Sequence, residues 1–187
     1  MRKVTVFNFI TLNGYFEGPK RDISWHKHGA EENEYAAEML KAGNMLLFGR
    51  VTYEMMASYW PTPMATQNDP VVAEGMNSAE KIVFSRTLRK AEWNNTRVVN
   101  DNIVDGIKQM KKMPGNDMTI LGSGSIVTHF AEQGLIDEYQ IMVDPVILCD
   151  GTSIFKGIKH GLNLKLTKTR TFKSGVVLLC YQPVDKA

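Results

Sequence analysis

Three short runs fix what kind of sheet this chain can build: MLLF at 45 to 48, KIVF at 81 to 84 and MTIL at 118 to 121. Runs so short and so nearly free of polar residues are what strands covered on both faces look like. Other β-rich runs are VTVFNFI at 4 to 10, RVV at 97 to 99, EYQIMVDPVIL at 138 to 148, LKLTKTRTF at 164 to 172 and VVLLCYQ at 176 to 182. LKLTKTRTF alternates apolar or Thr with basic residues, so one of its faces should meet solvent. Lys173-Ser174-Gly175 between the last two runs is a natural hairpin turn.

Helical patterns fill the gaps between the early strands. In AEENEYAAEMLKAGN, Tyr35, Met39 and Leu40 recur at helical spacing, acids crowd the first turn and Gly43 marks the exit. Another helix should follow Gly49. Asp101 is placed to cap NIVDGIKQMKKM, which Pro114-Gly115 ends. A further helix is expected from Ser125 to about Gln133. WPTPMATQNDP, 60 to 70, has three prolines and no periodicity and reads as a long loop. The alternation predicts an α/β fold with one mixed, mostly parallel sheet of about eight strands. Helices should cover both faces, and an antiparallel hairpin should close the chain.

At 187 residues and 43% hydrophobic content, residues 1–187 suit a single domain. The net charge is +2, with Lys and Arg scattered, so no basic stripe for nucleic acid is present. No apolar run approaches the roughly 20 residues that span a bilayer. The start, MRKVTVFNFI, lacks a signal-peptide pattern, and Cys149 and Cys180 form no metal-type pair, so a cytoplasmic protein is expected. Cys180, inside VVLLCYQ, reads as a small buried hydrophobe.

Three strand ends carry groups suited to anions. In LLFGRVTYEMM, Gly49 is followed by Arg50, a planar fork of donors, and by Thr52, a hydroxyl or helix cap; an Arg on a solvated helix start is the alternative. KIVF runs into Ser85-Arg86-Thr87. MTIL runs into Gly122-Ser123-Gly124-Ser125, which taken alone fits a plain turn as well as a phosphate cradle. It matches two positions of the dinucleotide fingerprint, but Val127 holds the place of the third glycine, and Asp144 mimics the ribose-binding acid while its strand reads on into PVIL. Ligands gather at the carboxyl ends of parallel strands, so the three ends together point to one anionic ligand.

FGRVTYE, VFSRTL, TILGSGSIVTHF and DEYQIMVDPVILCDGTSIF, in this order, resemble the dihydrofolate reductase-like superfamily. The closer likeness is to the branch of the RibD C-terminal reductase domain of bacterial riboflavin biosynthesis and its stand-alone relatives. The opening FNFITLNGYFEG is similar to that branch's first strand and loop, and the resemblance spans about residues 3 to 182. It implies a three-layer dihydrofolate reductase-like fold and NADPH as hydride donor. By this resemblance Gly49, Arg50 and Thr52 bind phosphate, with Arg50 and Ser85 near the adenosine 2′-phosphate; Arg86 is added by its own chemistry. Gly122, Ser123, Gly124, Ser125 and Ile126 would meet the pyrophosphate and nicotinamide side. Thr11, Asn13 and Gly14 would close over nicotinamide and substrate.

Asn13 stands where that branch carries Asp, and Cys149-Asp150-Gly151 replaces a more glycine-rich turn. Asn cannot supply a proton. Dihydrofolate reductases proper carry a carboxylate early on the first helix after a Pro-Trp, and by that resemblance, though without the Pro-Trp, Glu31 and Glu34 are the candidate acids, with Glu32 beside them. A solvated, dipole-favoured first turn is the alternative for these acids, and ordered water for the proton. Trp25 and Trp60 either wall a planar substrate or belong to the core. His26-x-His28 without a third ligand predicts no metal, and His129 reads as packing or capping. The expected function is NADPH-dependent reduction of a pterin or aminopyrimidine, such as a phosphoribosylamino-uracil. The alternative is a non-catalytic nucleotide-binding or regulatory protein. An exposed final strand edge makes a homodimer the expected partner state.

Overall fold

The computed structural model describes residues 1–26 and 29–184. Its strands are β1 Val4–Thr11, β2 Tyr15–Glu17, β3 Met45–Gly49, β4 Lys81–Phe84, β5 Thr96–Val99, β6 Met118–Leu121, β7 Glu138–Asp144, β8 Thr152–Ser153, β9 Leu164–Thr171 and β10 Val177–Pro183. Its α-helices are α1 Ala30–Lys41, α2 Arg50–Tyr59, α3 Pro63–Asn68, α4 Pro70–Ser78, α5 Ile103–Lys112 and α6 Gly124–Glu132. Eight strands form one sheet in the order β5-β4-β3-β6-β1-β7-β10-β9. Neighbours from β5 to β7 are parallel, while β10 runs antiparallel to both β7 and β9. The carboxyl ends of β1, β3, β4, β6 and β7 therefore open on one side.

Strand alternation sorts the apolar residues onto two faces. Val4, Val6, Leu47 and Ile120 pack with Ile107 of α5 and Val127 and Phe130 of α6. Leu46, Phe48 and Val83 point the other way and pack with Tyr53 of α2 and Val72 and Met76 of α4. A second cluster on that side joins Phe7 and Met142 to Tyr35 of α1 and to Phe172, Leu178 and the buried Cys180. The result is the expected three-layer α/β arrangement.

Several local expectations give way. Residues 60 to 70 are not a long loop. Pro63 and Pro70 occupy first-turn positions of α3 and α4, where a missing N–H costs nothing, and Thr62 Oγ1 accepts from Ala65 N at 3.3 Å. β7 stops at Asp144 because Pro145 has no N–H to continue a ladder; Val146 N donates to the Asp144 carbonyl at 2.8 Å instead. The cap of α5 is Asn102 in a left-handed conformation (φ 46°), not Asp101. β9 is exposed along nearly its whole length, with Leu164 and Leu166 among the open residues. Its partner on one side is β10, and no strand pairs its other edge among the described residues. No helix in that range is long and apolar enough to cross a membrane.

One buried cation braces the sheet. Lys81, 1% exposed at the start of β4, donates from Nζ to the carbonyls of Asn77 (3.2 Å), Ala79 (2.6 Å) and Asn94 (3.1 Å). It also lies 4.6 Å from the Trp93 ring centroid. Burial pushes its ammonium down to about 8, so at neutral pH three N–H donors still meet three acceptors. Replacing Lys81 by Met leaves those carbonyls without their donor, and urea denaturation should show a loss of about 2–4 kcal/mol. An unchanged midpoint would mean that water replaces the ammonium at no cost.

Candidate functional site

Two strand ends are stitched together where the three sequence signals converge. Ser123 Oγ accepts from Gly49 N and donates to Thr52 Oγ1, both at 2.8 Å. Ser123 is held in the left-handed region at φ 66°, which a serine adopts at some cost, and Gly122 before it has φ 70°. A Cβ on Gly49 would lie 2.5 Å from Ser123 Oγ, so only glycine lets the two turns approach this closely. Because the Ser123 side chain is turned to Gly49 and Thr52, it caps neither α6 nor α2, and Gly49 has no side chain to cap α2. Both helices begin without an acid in their first turn. Their N-terminal ends thus bring N–H donors and positive dipole ends to one groove.

That groove has a volume of about 490 Å³ and is lined by Gly49, Arg50, Thr52, Ser85, Ser123, Gly124, Ser125 and Ile126. These are eight of the residues assigned to the cofactor by resemblance, brought together from β3, β4 and β6. Arg50 lies half exposed, 3.6 Å from Glu54. Ser85 Oγ accepts from Leu88 N (2.9 Å) and Thr87 N (3.2 Å), leaving its own hydrogen to donate. Arg86 is exposed and lines neither this groove nor the cavity beside it. Gly122 lines the neighbouring cavity. Lys156, Thr152 and Ser153 also line the groove, a contribution the sequence reading missed.

Beside it lies a second cavity of about 600 Å³, between the sheet face of β1, β3 and β6 and the helices α1, α2 and α4. Phe16, Glu17, Arg21, Val51 and Thr52 line both spaces, so the two share a wall. Phe16 and Glu17 belong to β2, which pairs with β8 to form a ribbon laid over the GSGS turn. A Cβ on Gly151 would collide with the Glu17 carbonyl, which is why this departure from the glycine-rich pattern keeps its last glycine. Trp60 lines the cavity and its Nε1 donates to Met56 Sδ at 3.1 Å; Trp25 lines neither space, and its indole donates to the Asp22 carbonyl.

The expected acids point elsewhere. Glu31 is paired with the hairpin turn after β9, taking a hydrogen bond from Lys173 N and an ion pair from Lys173 Nζ, both at 3.0 Å. The Lys173 backbone N–H holds its carboxyl below the usual range. Glu32 is buried and accepts from Ser174 Oγ, and Glu34 is exposed. None of the three lines either space. Thr11 and Asn13 act as a clasp: Thr11 Oγ1 donates to Asn13 Oδ1 (2.8 Å), and Asn13 Nδ2 donates to the Leu148 carbonyl (2.7 Å). Gly14, at φ 87°, makes the turn that follows, so these three fasten the loop to the segment after β7 rather than line the cavity.

His26 is buried with Nδ1 2.9 Å from Asp144, and its ring stacks on Phe9 at 3.8 Å. Phe9 lines the larger cavity, so the pair anchors one of its walls. Asp144, read from sequence as a ribose-acid mimic, has this role instead. His28 lies outside the described residues. Among those residues no group of three or more His, Cys, Asp or Glu could hold a metal ion.

Comparison with known proteins now decides the family. The model of the RibD C-terminal domain matches residues 2–178. The chain belongs to the RibD C-terminal domain family. YyaP of Bacillus subtilis (strain 168) is 31% identical over 180 residues, covering 96% of this chain and 94% of that protein. A pyrimidine reductase-like protein from Corynebacterium diphtheriae aligns with a TM-score of 0.69 at 12% identity, over 98% of this chain and 92% of that one. A dihydrofolate reductase from Enterococcus faecalis complexed with NADP(H) aligns at 0.65 and 15% identity, over 98% and 97%. The fold of this chain is thus the one that these two structures share.

The stitch yields a measurable expectation. Gly49→Ala and Ser123→Ala should each cost about 1–3 kcal/mol, the first by overlap and the second by stranding the Gly49 N–H. In the double variant the clash is partly relieved, so chemical denaturation should give a loss smaller than the sum. Strict additivity would show that the two residues do not meet.

Proposed function

We propose that this chain is an NADPH-dependent reductase of a small planar heterocycle. The observation that carries the reading is the pair of adjoining spaces, one furnished for phosphates and one apolar, with Phe16, Glu17, Arg21, Val51 and Thr52 between them. The donor set fits the cofactor: two helix N-termini, Arg50, Ser85 and Lys156 suit a pyrophosphate and a 2′-phosphate. When bound, NADPH supplies a hydride from its nicotinamide to a C=N or C=O carbon. This chain's part is to hold that carbon at the shared wall, exclude water with the apolar side chains and deliver a proton. Glu17, the acid that lines both spaces, takes the proton-donor role in place of Glu31 and Glu34. A pterin or aminopyrimidine is the substrate class nearest to the named relatives. The same reading pairs two copies through the open edge of β9, a homodimer that light scattering would detect.

NADPH should raise the melting temperature, and more than NADH does. Arg50→Ala should weaken NADPH binding about tenfold or more, as expected for loss of a charge-assisted phosphate contact. Glu17→Gln should leave that binding intact while lowering kcat about 100-fold in NADPH oxidation. Full turnover by Glu17→Gln would return the proton to solvent. NADPH binding without turnover of any pterin or aminopyrimidine would favour a nucleotide-binding protein that is not an enzyme.

A further inference from the structure

We infer that the compound held in the larger cavity is an uncharged ring with an apolar substituent and no phosphate. The inference rests on the reductase reading above and specifies its substrate. Four methionines, Met39 of α1, Met55 and Met56 of α2 and Met76 of α4, line the 600 Å³ space together with Tyr59 and Trp60. Thioethers are polarisable and adopt many shapes, so such a wall accepts varied apolar surfaces and offers a phosphate nothing.

The charges point the same way. The charged residues lining the cavity are Glu17, Arg21, Glu54 and Asp69, three carboxylates against one guanidinium, with Glu54 also 3.6 Å from Arg50 of the groove. A phosphate monoester carries about −1.5 to −2 at neutral pH and would enter a site already negative. The helix ends on its side carry acids in or beside their first turns, which oppose a further anion there. α1 begins with Glu31 and Glu32 in its first turn. Asp69 is the N-cap residue of α4, and Asn33 Nδ2 donates to its Oδ1 at 2.6 Å. The N-terminus of α2 opens on the groove, where Gly49 and Arg50 lie. A phosphoribosyl group therefore has no seat beside the reacting ring, whereas an alkyl or aryl group of similar size does.

The test measures binding and turnover separately on the full chain. Its probes are 6-methyl- and 6-benzyl-7,8-dihydropterin, together with 5-amino-6-(ribosylamino)uracil and its 5-phosphate. Binding is read by tryptophan fluorescence with and without NADPH. The benzyl compound should bind tightest, and the phosphate should weaken the riboside about tenfold or more, since juxtaposed like charges oppose binding. Met55→Lys, which adds a cation to the wall, should narrow that difference and weaken the benzyl compound; a melt of the variant checks that it folds. Tighter binding of the phosphorylated compound than of its riboside would overturn the inference while leaving the reductase reading in place. So would failure of both apolar probes to bind while NADPH still raises the melting temperature. If the apolar preference holds but NADPH neither binds nor is oxidised, the preference stands and the reductase reading falls.

Discussion

The hydroxyl of Ser123 is the contact on which the site's geometry depends. It accepts the N–H of Gly49 and donates to Thr52, tying the turn after β6 to the turn after β3. In a parallel sheet, strand ends are held in register only as far as the ladder extends, and the turns beyond it are free to separate. Here the ladder between β3 and β6 runs from Met45 to Leu47. The serine bond extends that register two residues further, to the point where the helices begin. With its side chain committed sideways, the first turns of α2 and α6 keep their N–H groups for the groove. One hydrogen-bonded group thus sets both the closeness of the two turns and their capacity to bind an anion.

The two faces of the sheet are filled differently, and this asymmetry produces the larger cavity. On the α5 and α6 side a single cluster runs from Ile82 and Leu47 through Val6 to Tyr139 and Ile141. On the other side the apolar residues divide: one cluster gathers Phe7, Tyr35 and Leu178, the other Leu46, Phe48 and Trp93. Phe7, Leu46 and Leu121 border the space between them. Close packing on one face supplies rigidity, while the gap on the other supplies room for a ligand. The ribbon of β2 and β8 closes one end, and the buried His26–Asp144 pair backs Phe9 at another.

Much of this was legible in the sequence because doubly covered strands announce themselves. MLLF, KIVF and MTIL became β3, β4 and β6, and Gly49, Arg50, Ser85 and Ser123-Gly124-Ser125 after them fell on one edge as topology requires, though Arg86 did not join them. The misreadings have local causes. Pro63 and Pro70 look like breakers, yet a proline is equally a helix starter, and six- and nine-residue helices are too short to display a period. The orientation of Glu31 and Glu32 was hidden because their partners, Lys173 and Ser174, lie some 142 residues away. Asn13 stood out in the sequence only as the loss of a carboxylate, whereas its amide uses both a donor and an acceptor to clasp Leu148, a pairing that Asp could not complete. The methionine-lined wall was invisible for a different reason. Its members come from three helices, and within each helix a methionine at helical spacing reads as ordinary core.

Charge is sorted between the two spaces, and the sorting follows helix polarity. A helix N-terminus attracts whichever anion reaches it first, including a carboxylate of its own chain. α1 carries Glu31 and Glu32 in its first turn and α4 has Asp69 at its cap, so both dipoles are already answered from within. α2 and α6 have no acid in the first turn, and theirs remain available to a ligand. An anionic group is thereby favoured in the groove over the apolar cavity that shares a wall with it. Which helices begin with an acid and which do not thus gives the two adjoining spaces their different charge.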